Sequence, residues 1–136
     1  MPTTALIVED EIFVALDLER ILTDAGYHVK AIAADRSGAI EAADNCHFAL
    51  VDVNLRDGPT GPDLAATLAR DYGVKVIFVT ANPSQIGDAP GAIGYIRKPF
   101  SEAAILAAAA MASAGEPHGA AVNDDLVLLD REISGG

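Results

Sequence analysis

Tryptophan is absent, cysteine occurs once, and nine basic residues stand against twenty acidic ones in a chain of 136 residues. Each scarcity removes a class of function. A lone Cys46 cannot close an intramolecular disulfide, and its neighbours Asn45, His47 and Phe48 bring no second thiol at metal-ligand spacing. A Cys46–His47 metal pair is therefore set aside for a buried thiol beside a strand-edge imidazole, and a single thiol fits a reducing compartment. The net charge of −11, with no cluster of Lys or Arg to reverse it locally, repels a phosphate backbone. Direct nucleic-acid contact is not expected, whereas cations and proteins are suitable partners. Long apolar runs are also missing. The longest uncharged stretch, residues 103–115, is 13 residues, well short of the ~20 needed to cross a bilayer. The start, Met1-Pro2-Thr3-Thr4-Ala5, has no basic segment of the export type. The expectation is a cytoplasmic protein with no membrane span.

What is present suffices for one folded domain. Hydrophobic residues make up 51% and charged residues 21%, enough apolar side chain to bury a core at this length. Residues 5–8, 29–33, 48–51 and 74–79 are apolar on both faces, as strands buried in a parallel sheet are. Residues 93–96 form a fifth, weaker candidate. Between the first two strands Val14, Leu18, Ile21, Leu22 and Ala25 recur at helical spacing, Asp17, Arg20 and Asp24 mark a polar face, and Gly26 ends the helix. After the third strand Pro62 opens a second amphipathic helix carrying Leu64, Ala65, Leu68, Ala69 and Tyr72, closed by Gly73. Ser37 is the expected cap of a short helix running to Asp44, and Ser101 that of an Ala-rich helix from 102 to about 114.

Strand and helix thus alternate five times. Right-handed crossovers turn that order into a doubly wound α/β fold, a five-stranded parallel sheet with helices on both faces. Ligands of such sheets bind at the carboxyl ends of the strands, so the polar residues there are the ones to inspect. The first strand runs into Glu9-Asp10-Glu11, the third into Asp52, the fourth into Thr80, and the fifth is followed by Lys98-Pro99-Phe100. Crowded carboxylates need either raised pKa values or a cation, and an all-oxygen set suits Mg²⁺. Lys98 and Thr80 add a point charge and a hydroxyl that suit a phosphoryl group moving to a carboxylate nucleophile. Singly, each feature has a plainer reading: a solvated acidic loop, a turn-capping Asp52, a turn threonine, an exposed lysine. The ordered set is more telling: an acidic pair, 42 residues to Asp52, 28 to Thr80 and 18 to Lys98.

Leu6-Ile7-Val8-Glu9-Asp10-Glu11, Leu50-Val51-Asp52-Val53-Asn54-Leu55, Phe78-Val79-Thr80-Ala81-Asn82 and Tyr95-Ile96-Arg97-Lys98-Pro99-Phe100 together resemble the receiver domain of two-component response regulators, chemotaxis-regulator-like, over residues 4 to about 114. The resemblance implies a flavodoxin-like strand order 2-1-3-4-5. It implies that Asp52 accepts a phosphoryl group from a phosphohistidine of a sensor histidine kinase or phosphotransfer protein. It also implies Mg²⁺ held by Asp10, Asp52 and the backbone carbonyl of Asn54, with Glu9 acting through water. Thr80 and Lys98 match residues that bind the acyl phosphate, and Tyr95 matches a switch aromatic; without the family it reads equally as an aromatic half-buried at a sheet edge. The Lys98-Pro99 bond is expected to be cis. Asn54 and Asn82 lie where the family tunes phosphate lifetime. The only catalysis implied is self-phosphorylation and dephosphorylation, and the output is an altered face for a downstream protein.

Two departures stand out. The loop after Asp52, Arg56-Asp57-Gly58-Pro59-Thr60-Gly61, is one residue longer than the usual pattern and lacks its early proline. Between Thr80 and Lys98, Pro83, Gly87, Pro90, Gly91 and Gly94 predict that the fourth helix is short, shifted or mobile. The loop and the Asn82-Pro83 pair resemble receivers that work with an atypical kinase class in alphaproteobacterial stress signalling. Residues 115–136 read as an acidic tail with five acids and one arginine, opened by the linker-like Gly115-Glu116-Pro117-His118-Gly119. Leu126-Val127-Leu128-Leu129 within it is expected to form an extra strand or docking segment. With no room for an output domain in the tail, the expectation is a stand-alone phospho-receiver. The alternatives are a receiver-like interaction module that is not phosphorylated, and a phosphohydrolase of the haloacid-dehalogenase type; the latter conflicts with the order of the site residues.

Overall fold

The five apolar runs become strands because each is too short for a helix and suits a pleated surface; residues 5–8, 48–51 and 76–79 are buried on both sides, whereas 29–33 is largely exposed or partly buried and 93–96 alternates. The computed structural model describes residues 2–114 and 123–129. In chain order the elements are β1 (Thr4–Val8), α1 (Ile12–Asp24), β2 (His28–Ala33), α2 (Arg36–Ala42), β3 (Phe48–Val51), α3 (Gly61–Tyr72), β4 (Lys75–Thr80), β5 (Ala92–Arg97), α4 (Glu102–Ala114) and β6 (Leu126–Leu128). The sheet order is β2-β1-β3-β4-β5-β6; the first five strands are parallel, and β6 is antiparallel to β5. The order 2-1-3-4-5 is as expected, extended by one strand from the acidic tail. The linker-like residues 115–119 and the tail beyond residue 129 lie outside the described residues.

Strand alternation sends side chains to two apolar layers. Leu6, Val8, Ala49, Val51, Val76 and Phe78 meet α2 and α3, while Ala5, Ile7, Phe48, Leu50, Ile77 and Val79 meet α1 and α4. The packed faces of α1 and α3 follow their sequence periodicity: Leu18, Ile21 and Leu22, and Leu64, Ala65 and Leu68, are buried. Ala25, assigned from spacing to the buried face of α1, is instead exposed, because the helix ends at Asp24 and Gly26 turns the chain at φ +96°. Gly73 closes α3 in the left-handed conformation, and Ser101 accepts the Ala104 N–H at the start of α4. The cap of α2 is a correction. Asp35, not Ser37, accepts the Gly38 N–H at 2.8 Å, and the helix starts at Arg36 and ends at Ala42. Both side chains can cap; Asp35 wins because Arg56 holds its second oxygen at 2.8 Å.

Between β4 and β5 the described chain forms one 3₁₀ turn, Pro83–Gln85, in place of a full helix. The prolines and glycines of this stretch remove helix donors and favour other backbone angles; Gly87 and Gly91 both adopt positive φ. No described helix is long and apolar enough to cross a membrane.

Candidate functional site

Backbone hydrogen bonds continue past the strand ends and set the site side by side. The Asp52 N–H donates to the Val8 carbonyl at 3.0 Å, the Glu9 N–H to the Ala33 carbonyl at 2.8 Å, and the Lys98 N–H to the Thr80 carbonyl at 2.9 Å. The residues that end β1, β3, β4 and β5 therefore share one rim. There the Lys98 ammonium donates to Glu9 Oε1 at 2.7 Å, Asp52 Oδ2 at 2.9 Å and Glu11 Oε1 at 3.3 Å. Glu9 is buried, and its other oxygen accepts the Glu11 N–H at 3.1 Å.

The electrostatics follow from burial. Burial raises the Glu9 carboxyl above its ordinary value against the opposing pull of Lys98. For Lys98 burial acts downward, yet the hydrogen bonds to Glu9 and Asp52 outweigh it and hold the ammonium above its ordinary value. One fixed positive charge thus faces several carboxylates. Carboxylate oxygens of Glu9, Asp10 and Asp52 all lie within 4.8 Å of one another. Asp10 is exposed and, among the described residues, has no hydrogen-bonded or ion-paired side-chain partner, and Asp52 Oδ1 is likewise unengaged. A hard divalent cation fits this set: oxygen donors only, an uncompensated negative balance, and free carboxylate oxygens beside a cavity.

That cavity has a volume of about 360 Å³ and is lined by Asp10, Glu11, Asp52, Asn54, Ala81, Asn82 and Lys98. Asp10, Asp52, Asn54, Asn82 and Lys98, all named from the sequence, therefore meet at one opening. Glu9 sits beneath it on Lys98. Thr80 is fully buried beside the opening without lining it, and its hydroxyl accepts the Asn82 N–H at 3.0 Å. Tyr95 is half-buried in β5, on the layer of α2 and α3, opposite Val127 of β6. The Lys98-Pro99 peptide is cis.

Chain positions 5–110 match the family model of the response regulator receiver domain. The chain belongs to that family. As a receiver it is 36% identical over 112 residues to the phyllosphere-induced regulator PhyR of Methylorubrum extorquens, covering 79% of this chain and 42% of that protein. It superposes on the solution structure of the Erythrobacter litoralis PhyR receiver domain with a TM-score of 0.77 at 31% identity, covering 89% of this chain and 97% of that one. A CheY-like receiver of Methanospirillum hungatei aligns with a TM-score of 0.70 at 29% identity, over 81% and 92% of the two chains. This receiver spans about half the length of the curated relatives it matches.

Several residues that build the receiver site escaped the sequence reading. Glu11, named only as part of an acidic run, is a third partner of Lys98. Gln85 accepts from the Asn54 amide at 2.8 Å and ties the 3₁₀ turn to the loop after Asp52; nothing in the sequence signals that pair. The lengthened loop is fastened from the other side. The Arg56 N–H donates to the Ala34 carbonyl at 2.9 Å, while Asp57 accepts the Arg36 N–H at 3.2 Å and the Thr60 hydroxyl at 2.7 Å. Gly61 lets α3 start against the end of β3, since a Cβ there would stand 2.2 Å from the Asp52 carbonyl oxygen.

Proposed function

We propose that Asp52 accepts a phosphoryl group from a phosphohistidine on a sensor kinase or phosphotransfer protein, with Mg²⁺ bound beside it, and that the added charge alters a protein-binding face. One observation carries this reading: a nearly buried Asp52 carboxylate has one oxygen fixed by Lys98 and the other unengaged among the described residues, at an opening lined by Asp10, Asn54 and Asn82. In the transfer an Asp52 oxygen bonds to phosphorus while the P–N bond to the donor imidazole breaks, and the bonding pair stays on the imidazole nitrogen. Lys98 orients the carboxylate and offsets charge on the incoming oxygens.

Asp10, Asp52 and the Asn54 carbonyl would hold Mg²⁺, with Glu9 acting through water, and the ion when bound supplies positive charge that draws carboxylates and phosphoryl oxygens together. The Thr80 hydroxyl accepts the Asn82 N–H, which leaves its own O–H to donate to the acyl phosphate; turning toward the phosphate draws on the loop carrying Asn82 and changes the packing around Tyr95. Asn54 and Asn82 flank the acceptor where an attacking water would stand and so set the phosphate lifetime. The protein catalyses only its own phosphorylation and dephosphorylation.

A donor domain needs a place to dock, and α1 offers one next to the site. Ile12, Phe13 and Leu16 are exposed, Phe13 to 84%, immediately after Glu11. Partner proteins on both sides, in a bacterial cytoplasm, complete the reading. The test is transfer from a phosphohistidine protein labelled on phosphorus: label should move to the wild type and not to Asp52→Asn, and label on both would place the acceptor elsewhere.

A further inference from the structure

The outer edge of β5 carries the short strand β6, paired Gly94 with Leu128, Tyr95 with Val127 and Ile96 with Leu126. Only Leu126 is buried; Val127 and Leu128 are 41% and 51% exposed. Leu126 fills a slot against the layer of α1 and α4 that includes Ile96. Just past the strand, the Leu129 N–H donates to the Ile93 carbonyl at 3.2 Å. Three residues with one buried side chain, followed by Leu129 half-buried against the layer of α2 and α3, place β6 at the low end of local stability beside the largely buried strands β1, β3 and β4. When β6 leaves, β5 presents an open row of N–H and C=O groups beside an empty apolar slot, the arrangement that receives an added strand.

Two features make this edge selective. Gly94 is a notch: a Cβ there would come within 2.7 Å of the Val127 carbonyl oxygen, so close approach of a strand depends on glycine. At the other end Asp125, the residue before Leu126, shares a cavity of about 260 Å³ with Arg97, Lys98 and Pro99, which favours an acidic group beside exposed Arg97. We propose that the β5 edge is a strand-accepting interaction surface, that Leu126–Leu128 is its removable occupant, and that its external partner is an extended segment of another protein presenting an acidic residue followed by a large apolar one. Because β6 is tethered to the domain, its effective concentration at the edge is on the order of millimolar. A partner must therefore match or exceed the Asp125-Leu126 pattern to displace it.

Tyr95 lies on this edge and Lys98 borders both it and the acceptor site, but strand acceptance requires no phosphorylation at Asp52 and is tested on the unphosphorylated chain, so it stands or falls separately from the receiver chemistry. The test uses a synthetic peptide of residues 123–129 and the full chain carrying Leu126→Asp, which empties the slot but leaves the β5 edge intact. Amide shifts at Gly94, Tyr95 and Ile96 on titration should give binding to Leu126→Asp at least about tenfold tighter than to wild type, where the edge is already filled. Adding Gly94→Val should abolish it. Absent or equal binding in Leu126→Asp and wild type, or binding that survives Gly94→Val, overturns the proposal. So does a circular-dichroism spectrum showing that Leu126→Asp no longer folds, since a removable strand must leave the domain intact.

Discussion

Replacing Lys98 with Met removes the one cation that, among the described residues, contacts Glu9 and Asp52, while roughly preserving the apolar stem. In the folded protein Glu9 is buried with its side chain 1% exposed, and Lys98 is 14% exposed. Breaking a buried pair typically costs about 3–5 kcal/mol if the remaining charge persists. The orphaned Glu9 has a cheaper course, which is to take up a proton. For a carboxyl of ordinary pKa about 4.3 that costs about 3.7 kcal/mol at pH 7 and about 1 kcal/mol at pH 5. The sign follows from the shift: burial already raises the folded Glu9 carboxyl, and loss of Lys98 removes the largest opposing influence. A carboxyl whose folded pKa is raised binds more protons folded than unfolded, so stability falls as pH rises above the unfolded value. The Lys98 contribution in the wild type has the opposite character, present in full below its unfolded pKa of about 10.4 and so constant from pH 5 to 7. Urea unfolding of wild type and Lys98→Met, with a chelator present, should therefore show destabilisation of about 2–4 kcal/mol at pH 7 and about 1 kcal/mol at pH 5. Equal destabilisation at the two pH values, or less than about 1 kcal/mol at pH 7, would refute the reasoning that Lys98 neutralises a buried Glu9.

Gly61→Ala should destabilise the domain by at least about 2 kcal/mol, because the added Cβ meets backbone atoms of Asp52 and Val53 at 2.2 to 2.8 Å rather than a movable side chain; thermal unfolding measures it, and an unchanged Tm would show that the loop shifts freely. Asp35→Ala should lower the Tm by removing both the Gly38 cap and the Arg56 partner, whereas Ser37→Ala, at a position that does not cap α2, should leave it unaltered. Asn54→Ala frees Gln85 and should speed exchange of the Gln85 and Ile86 amides, which donate to the Asn82 and Pro83 carbonyls, by at least about threefold, read by hydrogen exchange; unchanged rates would mean that the 3₁₀ turn is held by other contacts.

Legibility in the sequence tracked how locally each feature is determined. The central strands β1, β3 and β4 were readable because two-sided burial leaves nearly continuous apolar runs, while β2 and β5, partly exposed, carry a weaker signal; the faces of α1 and α3 were readable because one-sided burial leaves a helical period. The site residues were readable because parallel strands end on one rim, so positions far apart in sequence inherit a shared place from topology alone. The Asp35 cap was missed because two side chains two residues apart both qualify, and the choice between them rests on Arg56, a residue of another loop. Gln85 and Glu11 were missed for the same reason: their roles are set by where a distant Asn54 or Lys98 side chain ends. Gly61 belonged to a glycine- and proline-containing loop that was visible, but the close approach of α3 to the Asp52 backbone that requires it was not. The missing helix between β4 and β5 was foreseen from its prolines and glycines, since those act through the backbone and need no partner.

The central claim is that the Asp52 carboxylate is a phosphoryl acceptor served by a divalent cation. It is tested most directly by intact-mass spectrometry after incubation with a small acyl phosphate, with and without Mg²⁺, on wild type and Asp52→Asn. The account predicts that only wild type gains one phosphoryl group, and only with Mg²⁺. A wild type that gains nothing under either condition, or an Asp52→Asn variant that gains as much, would contradict it.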